Sequence, residues 1–409
     1  MKLLILLTAA FPYDKGEEFL STEVKYISGF DRVILCPCNL KPDSVVTKQI
    51  PNGISCVPLQ KKQNGTSFYA RLLLRPYVLD EIKSLIGTGS SVSGRIHEML
   101  FFMKNAVAIY EALKAIPELN GADDITIYSY WFYDAAAAGA LLAADLKKRG
   151  VKVKQISRAH GFDVHPERAK YNYIPMRKFL LRRVDRLFPC SKNGADTIFR
   201  QYPEFSGKIQ PALLGTADYG EKNGSREGEF HVLSCSYMVP VKRLHLIVQA
   251  LQQADFPVRW THIGSGPLEE EIKQMASVLP AHVSAEFLGQ MDNAAIMEYY
   301  KANCISAFIN VSSSEGIPVS VMEACSFGVP VVATNVGGTS EAVRSGENGY
   351  LLEADFTPDA LLEKLRLLKG LSDEKYKTMC CNSRKLWQEK FNAAENYRNF
   401  YLMIGGGVL

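Results

Sequence analysis

The sequence lacks any uninterrupted apolar run of the ~18 residues that a membrane-spanning helix needs. It also lacks low-complexity blocks, and its 47% hydrophobic and 22% charged residues are ordinary for a folded protein. The formal net charge of +4 is too small to indicate nucleic-acid binding. We therefore expect a folded protein that is soluble or attached to a membrane surface, with no nucleic-acid partner.

Cysteine patterns typical of metal sites or disulfide frameworks are absent as well. The nine cysteines are odd in number and scattered through apolar segments, which favours reduced, buried thiols. Cys36 and Cys38 are separated by one residue, and no second cysteine pair or histidine pair follows at a zinc-binding spacing. We predict no metal site.

The N-terminal run MKLLILLTAA has two possible interpretations. Its charge and apolar character resemble those of a short signal peptide. It also fits a buried strand of a parallel sheet, because the segment FPYDKGEEF that follows is typical of the loop and helix start after such a strand. We adopt the strand and expect a cytoplasmic location.

The length and the alternation of segments predict two α/β domains. A chain of 409 residues exceeds what one hydrophobic core usually supports. In the first half, strand-like runs alternate with helical segments at 94–116 and 134–148, which predicts βαβ units on a parallel sheet. The strand-like runs of this half are residues 1–7, 32–36, 125–130 and 153–157.

A polar, glycine-bearing segment at 218–229 is typical of a linker. Further strand-like runs, each followed by a helical pattern, predict a second Rossmann-like domain over 230–390. The tail at 391–404 is an amphipathic helix with four aromatic residues, so we expect 391–409 to pack back onto the first domain, 1–217. Two such domains facing each other would form a cleft lined by the carboxyl ends of both sheets.

Two carboxylates at a loop-to-helix junction carry the main functional signal. Pro318 favours a helix start, which places Glu315 in the preceding loop and Glu323 on the helix. A Gly-Gly-Thr sequence at 337–339 follows the next predicted strand and opens another helix, where backbone N–H groups can face an anion. Since a carboxylate can accept two hydrogen bonds from a sugar diol, the combination indicates a nucleotide or sugar-phosphate ligand.

The segment NVSSSEGIPVSVMEACSFG resembles the E-x7-E signature of family 4 of the retaining GT-B glycosyltransferases. The segments FPYDKGEEFLSTEVKYI, SRAHGFDVH, SYMVPVKRLHLIVQAL and HIGSGPLEEEI extend the likeness over nearly the whole chain. The resemblance implies an α/β GT-B fold, with two Rossmann-like domains facing a central cleft and a C-terminal helix crossing back. It also implies retaining, metal-independent transfer of a sugar from a nucleoside diphosphate sugar to a saccharide or lipid-linked acceptor, without a cofactor, in bacterial polysaccharide biosynthesis.

The resemblance also assigns roles to residues. Glu323 would hold the donor ribose, Glu315 the hydroxyls of the transferred sugar, and Lys242 the diphosphate. His160 would reach the donor sugar from the first domain, and Asp163 would help to set its loop and the donor site. The other donor-binding candidates are Arg243, Gly264, Gly316, Ile317, Pro318, Gly337, Gly338 and Thr339, and the acceptor-side candidates are Gly16, Glu17, Tyr130 and Trp131.

One departure from the family concerns the phosphate cations. Where the family usually has arginine, this chain has Tyr237. Arg243, or a basic residue of the first domain, is expected to replace the missing charge. Glu315 as a covalent nucleophile remains an alternative to the positioning role, which we favour.

Basic residues crowd one stretch of the first domain. A solvated surface explains such a stretch, and so does contact with anionic lipid headgroups or with a lipid diphosphate acceptor. Peripheral contact with the inner face of the plasma membrane is therefore a further expectation. The basic residues are Lys147, Lys148, Arg149, Lys152, Lys154, Arg158, Arg168, Lys170, Arg177, Lys178, Arg182, Arg183 and Arg186.

Two other functions fit the same motifs. A GT-B-fold nucleotide-sugar epimerase would use the same diphosphate site without a second substrate. A non-catalytic sugar-nucleotide binding protein would bind donor without turnover. A dehydrogenase is disfavoured, because no G-x-G-x-x-G follows the first strand at the expected offset.

Overall fold

The chain divides into two units, each built on its own parallel β-sheet. The computed structural model describes residues 1–61, 72–86, 91–220 and 228–406. Unit 1 comprises Met1–Leu214 and Ala394–Leu409, and unit 2 comprises Gly215–Ala393. The chain thus enters unit 2 shortly before the predicted linker at 218–229, of which residues 221–227 lie outside the described part.

In unit 1, apolar runs form strands that are buried on both faces. The strands are β1 Lys2–Thr8, β2 Arg32–Pro37, β3 Ile54–Cys56, β4 Asp124–Ser129, β5 Lys152–Ala159 and β6 Arg186–Pro189. Their order in the sheet is β3-β2-β1-β4-β5-β6, and every pairing is parallel. The apolar residues of β1 have no exposed surface, as expected for a strand covered by helices on both sides. The four strands predicted for this half are confirmed.

The helices of unit 1 follow the predicted alternation. The predicted helix at 134–148 is confirmed with the same bounds, and the one at 94–116 begins and ends slightly earlier. The helices described in this unit are α1 Leu20–Glu23, α2 Pro76–Leu85, α3 Val92–Leu113, α4 Asp134–Lys148, α5 Arg177–Arg183 and α6 Lys192–Gln201, followed at the end of the chain by the tail helix.

Unit 2 repeats the architecture. Its strands are β7 Phe230–Cys235, β8 Val258–Ile263, β9 Val283–Phe287, β10 Ala307–Asn310, β11 Val331–Thr334 and β12 Gly349–Leu352. They lie in the order β12-β11-β10-β7-β8-β9. Its helices are α7 Leu244–Gln252, α8 Glu269–Ala276, α9 Asn293–Ala302, α10 Val319–Ser326, α11 Thr339–Ala342, α12 Pro358–Lys369 and α13 Asp373–Lys390.

The tail helix α14, Ala393–Gly405, packs on the core of unit 1, as its aromatic face predicted. Phe400 and Tyr401 are buried beside β4, β5 and β6. The Arg158 guanidinium lies 4.2 Å from the Phe400 ring centroid and 3.3 Å from a carboxylate oxygen of Glu23. The Tyr401 hydroxyl donates a hydrogen bond to Glu23 over 3.2 Å. The tail therefore covers a buried ion pair of unit 1.

Among the described helices, none combines the length and the apolar character that crossing a membrane requires.

Candidate active site

The loops after β1, β4 and β5 meet at one edge of the unit 1 sheet, because these parallel strands are neighbours. Glu17, which is nearly buried, organises the first of them. Its carboxylate accepts hydrogen bonds from the backbone N–H groups of Ala9, Ala10 and Phe11 at 2.7–2.8 Å. It also accepts one from the Trp131 indole at 2.7 Å. Glu17 thus ties the two loops together, and the predicted direct contact with an acceptor gives way to a positioning role.

His160 follows β5 and is buried between two aromatic rings. The rings of Tyr130 and Trp131 each lie 4.6 Å from the imidazole, centroid to centroid. Burial, together with the positive charge of Arg158, lowers the pKa of His160 to about 3, so the ring is neutral near pH 7. Nε2 lies 3.1 Å from the Tyr130 carbonyl, which can only accept, so Nε2 carries the proton. Nδ1 is then an acceptor for a ligand hydroxyl.

Asp163 fixes the shape of the His160 loop. Its two carboxylate oxygens accept hydrogen bonds from the backbone N–H groups of His160 (2.7 Å) and Phe132 (2.9 Å). Its own carbonyl accepts a hydrogen bond from the buried Arg177 guanidinium. This is the loop-setting role predicted for Asp163; the contact with donor is corrected, because the side chain is fully buried and its oxygens are used by the backbone.

In unit 2, Lys242 and Glu315 meet. Lys242 ends the 3-10 turn Pro240–Lys242 before α7, and Glu315 lies in the loop before α10, as predicted. The Lys242 ammonium donates to Glu315 Oε1 over 2.7 Å, and the Asn310 amide lies 3.4 Å from the same oxygen. Within the described residues, Oε2 of Glu315 accepts no hydrogen bond. The arrangement leaves Oε2 and two ammonium hydrogens for a ligand.

Arg243, which was expected to replace the missing phosphate cation, is bonded to the protein itself in this structure. Its guanidinium donates to the backbone carbonyls of Val311 (2.8 Å), Ala354 (2.7 Å) and Ser312 (3.3 Å), and to the Thr334 hydroxyl (3.2 Å). Arg243 therefore ties the start of α7 to the ends of β10 and β11, and its predicted role in donor binding stays a prediction. The sequence alone could not predict these contacts, because the partners of Arg243 are mostly backbone atoms.

Glu323 lies on α10 with 8% of its surface exposed. Burial raises the pKa of Glu323 to about 7, and the hydrogen bond from Asn293 opposes that rise. The Asn293 amide donates to Glu323 Oε1 over 2.6 Å, and the Tyr219 hydroxyl lies 3.4 Å from the Asn293 oxygen. Sequence reasoning missed both residues. The available signal was weak: Asn293 is the first residue of a helix that follows a capping aspartate.

The glycine turn at 337–339 packs against the loop of Glu315. A Cβ at Gly337, where φ is +55°, would overlap the Glu315 carbonyl oxygen. The Gly338 N–H donates to the Gly316 carbonyl over 2.6 Å, and the Thr339 N–H donates to the Val336 carbonyl over 3.1 Å. Two of the three N–H groups of the predicted anion site are thus bonded within the protein, and anion binding there stays a prediction. The turn holds the carboxylate loop in place.

The remaining candidates support the same loops. Ile317 is buried, and Pro318 is the residue immediately before α10 rather than its first helical residue. The Gly264 N–H donates to the Gly289 carbonyl, and a Cβ at Gly264 would overlap the Ser236 carbonyl oxygen. Gly16 adjoins Glu17 in the loop after β1. No group of three or more metal-ligating side chains occurs in the described part of the chain.

Comparison with known proteins agrees with this architecture. Residues 216–386 match the family model described as glycosyl transferases group 1. The D-rhamnosyltransferase WbpZ of Pseudomonas aeruginosa is 29% identical over 209 residues, which is 48% of this chain and 53% of WbpZ. The putative colanic acid biosynthesis glycosyltransferase WcaL of Salmonella typhimurium is 25% identical over 272 residues, which is 61% of this chain and 64% of WcaL. This chain thus spans about half to two thirds of these relatives.

Solved structures match over nearly all of the chain. Sucrose-phosphate synthase from Thermosynechococcus elongatus aligns with a TM-score of 0.72 at 17% identity, covering 98% of both chains. Alr3699/HepE of Anabaena, solved in complex with UDP, aligns with a TM-score of 0.66 at 16% identity, covering 99% of this chain and 100% of HepE. The chain has the α/β architecture of GT-B glycosyltransferases, and its residues 216–386 are similar to the family of glycosyl transferases group 1.

Proposed function

We propose that the protein is a retaining glycosyltransferase that moves a sugar from a nucleoside diphosphate sugar to a saccharide or lipid-linked acceptor. The observation that carries the proposal is the hydrogen bond between Lys242 and Glu315. Both residues, and Glu323, lie within residues 216–386, which match the glycosyl transferase family model. The name of WcaL, a putative colanic acid biosynthesis glycosyltransferase, supports polysaccharide biosynthesis as the pathway.

Lys242 would act on the leaving group. Breaking the bond from C1 to the diphosphate builds negative charge on the departing phosphate, and a cation fixed beside it stabilises that charge. An ammonium has three hydrogens, so Lys242 can keep its bond to Glu315 and still donate to phosphate oxygens. No metal is required for this role.

Glu315 would position the transferred sugar through its free Oε2. A carboxylate held by a lysine at 2.7 Å is a stabilised anion, and this lowers its tendency to attack C1. The positioning role is thus favoured over a covalent glycosyl-enzyme. With a phosphate oxygen as base, the acceptor hydroxyl would attack on the face that the diphosphate leaves, which retains the configuration.

Glu323 and His160 would bind neutral parts of the donor. Glu323 Oε1 is held by Asn293, which leaves Oε2 to accept from a ribose hydroxyl. His160 Nδ1 would accept from a sugar hydroxyl, which requires the neutral ring. A cytoplasmic location, with the exposed basic residues of unit 1 against anionic lipid, is part of the same proposal. Arg158 and Arg177 are buried and take no part in such a contact.

A donor screen tests the proposal. UDP-, GDP- and ADP-sugars are incubated with the full chain and either a lipid-linked or a free oligosaccharide, and products are identified by mass spectrometry. We expect nucleoside diphosphate release that depends on acceptor, with the anomeric configuration retained by NMR. Conversion of the sugar nucleotide into an epimer in the absence of acceptor would instead identify an epimerase. Donor binding without any turnover would identify a sugar-nucleotide binding protein.

A further inference from the structure

An arginine with an unused guanidinium lies against the loop of His160. Arg168 ends the 3-10 turn Pro166–Arg168, and its side chain folds back over Gly161. A Cβ built on Gly161 would lie 2.5 Å from Arg168 Nη1 and 3.6 Å from Cζ. Arg168 Nε is buried and has no hydrogen-bond acceptor. In the part of the chain that the structure describes, no carboxylate pairs with this guanidinium.

The neighbouring carboxylates are engaged elsewhere. Glu167, next in sequence, pairs with His165 over 3.2 Å. Asp163 accepts from the backbone of the loop, and Glu98 pairs with Lys170 over 3.1 Å. A buried donor without an acceptor lowers the stability of the folded protein by about 1–3 kcal/mol. Because the Arg168 Nε donor lies beside the His160 loop, a bound ligand can supply the missing acceptor.

The backbone holds Arg168 in this place. The N–H groups of Val164 and His165 donate to the Gly161 carbonyl over 3.1 and 3.0 Å, and the Arg168 N–H donates to the His165 carbonyl over 3.1 Å. The turn is thus continuous from His160 to Arg168. The backbone of Arg168 is thus fixed by local hydrogen bonds, which limits the backbone entropy lost when the residue binds a ligand.

An aromatic surface adjoins the same residues. Phe162 is 42% exposed, and its ring centroid lies 5.1 Å from that of Trp131 and 5.6 Å from that of Tyr133. Trp131 in turn contacts the His160 ring. Aromatic rings present large, rigid apolar faces on which a ring-shaped ligand can pack. A cation next to such a surface suits a ligand that combines a sugar ring with an anionic group.

We propose that Arg168 binds a phosphate group of a sugar-phosphate ligand, with Phe162 and Trp131 packing on the ring next to it. A planar guanidinium binds phosphate through two parallel hydrogen bonds. The phosphate belongs either to the nucleoside diphosphate donor or to a phosphate-bearing acceptor. The inference rests on the proposed function.

Calorimetric titration of the full chain tests the site, with inorganic pyrophosphate, UDP, GDP and ADP as ligands at one fixed salt concentration. We expect Arg168→Gln to weaken pyrophosphate binding at least tenfold, with a smaller loss for Arg168→Lys. Gly161→Ala should weaken it as well, because its methyl group displaces the guanidinium, the flexible end of a side chain, and little else. Lys170→Gln, which removes a paired cation in the same segment, is the matched control and should change affinity less than twofold.

The ligands separate the two sources. If Arg168→Gln also weakens binding of the tightest-binding nucleoside diphosphate, the phosphate belongs to the donor. If it weakens binding of pyrophosphate alone, the phosphate belongs to the acceptor. Unchanged affinities in Arg168→Gln, or no pyrophosphate binding to the unmodified chain, overturn the proposal. If pyrophosphate binding depends on Arg168 but no sugar is transferred in the donor screen, the site stands and the proposed function fails.

Discussion

The amide of Asn293 donates a 2.6 Å hydrogen bond to the carboxylate of Glu323, joining the first turn of α9 to α10. Asn293 thereby partly offsets the desolvation that raises the pKa of Glu323 to about 7. Glu323, the residue proposed to hold the ribose, therefore changes charge near neutral pH, and the hydrogen bond from Asn293 helps to set the pH at which it ionises.

We expect donor affinity to rise between about pH 6 and pH 8, because the ionised Glu323 accepts the ribose hydroxyls better. Asn293→Ala should move the midpoint to higher pH, since it removes the hydrogen bond that lowers the pKa. Affinity for the preferred nucleoside diphosphate sugar, whose phosphates do not titrate in this range, is measured against pH. Glu323→Gln should abolish the dependence; a profile identical in all three proteins would contradict the assignment.

The same carboxylate should affect folding stability. Its pKa is raised in the folded state, so the contribution of Glu323 is fully present below about pH 4.5 and is lost as pH rises through about 7. Glu323→Gln removes a buried charge while keeping an oxygen that can accept from Asn293. Its melting temperature should exceed that of the unmodified protein by about 5 °C at pH 8, and match it at about pH 4. Thermal melts at both pH values check this.

Glu323→Ala and Glu315→Ala should differ in kinetics. Loss of a buried contact to ribose should weaken donor binding by about 2 kcal/mol, whereas Glu315→Ala should mainly lower kcat. Lys242→Ala should lower kcat at least as strongly, since it removes the leaving-group cation and leaves Glu315 unpaired. Steady-state kinetics and donor titrations measure both effects. Lys385→Ala, at a surface pair with Glu389, is the control and should change neither.

Activity should survive EDTA, because Lys242 is expected to stabilise the diphosphate without a metal. Turnover is assayed after exhaustive chelation and again after magnesium or manganese is added. Complete loss that either metal restores would overturn the metal-independent mechanism.

The tail helix should be indispensable to unit 1. Removing residues 394–409 would expose the Arg158–Glu23 pair and the core around it, so the truncated chain should be unstable and inactive. Tyr401→Phe, which removes a hydrogen bond to Glu23, should cost about 1 kcal/mol in urea unfolding. Leu402→Ala, at a position 42% exposed, is the control and should have little effect. Full activity of the truncated chain would show that the tail is dispensable.

The sequence predicted the parallel sheets well, because strands buried on both faces must be apolar throughout, and β1 and β11 show this directly. It also placed Glu315 in a loop and Glu323 on a helix correctly, since Pro318 marks the junction. These features are local, so they leave a pattern in consecutive residues.

Contacts between distant segments left no such pattern. The bonds of Arg243 go largely to backbone carbonyls, which carry no side-chain signature. Asn293 reaches Glu323 across two helices, and the free guanidinium of Arg168 results from how its turn folds. The Gly338 N–H was predicted to face a ligand, but it donates to the carbonyl of Gly316, 22 positions earlier in the sequence.

The two passages of the chain between the units run side by side. The Thr216 N–H donates to the Phe391 carbonyl over 2.9 Å, and the Ala393 N–H donates to the Thr216 carbonyl over 3.1 Å. Residues 215–393 are thus an inserted domain whose two ends are joined by backbone hydrogen bonds. Such a segment can be excised as an autonomous domain, or transplanted into the same position of a related scaffold, with its terminal residues in place.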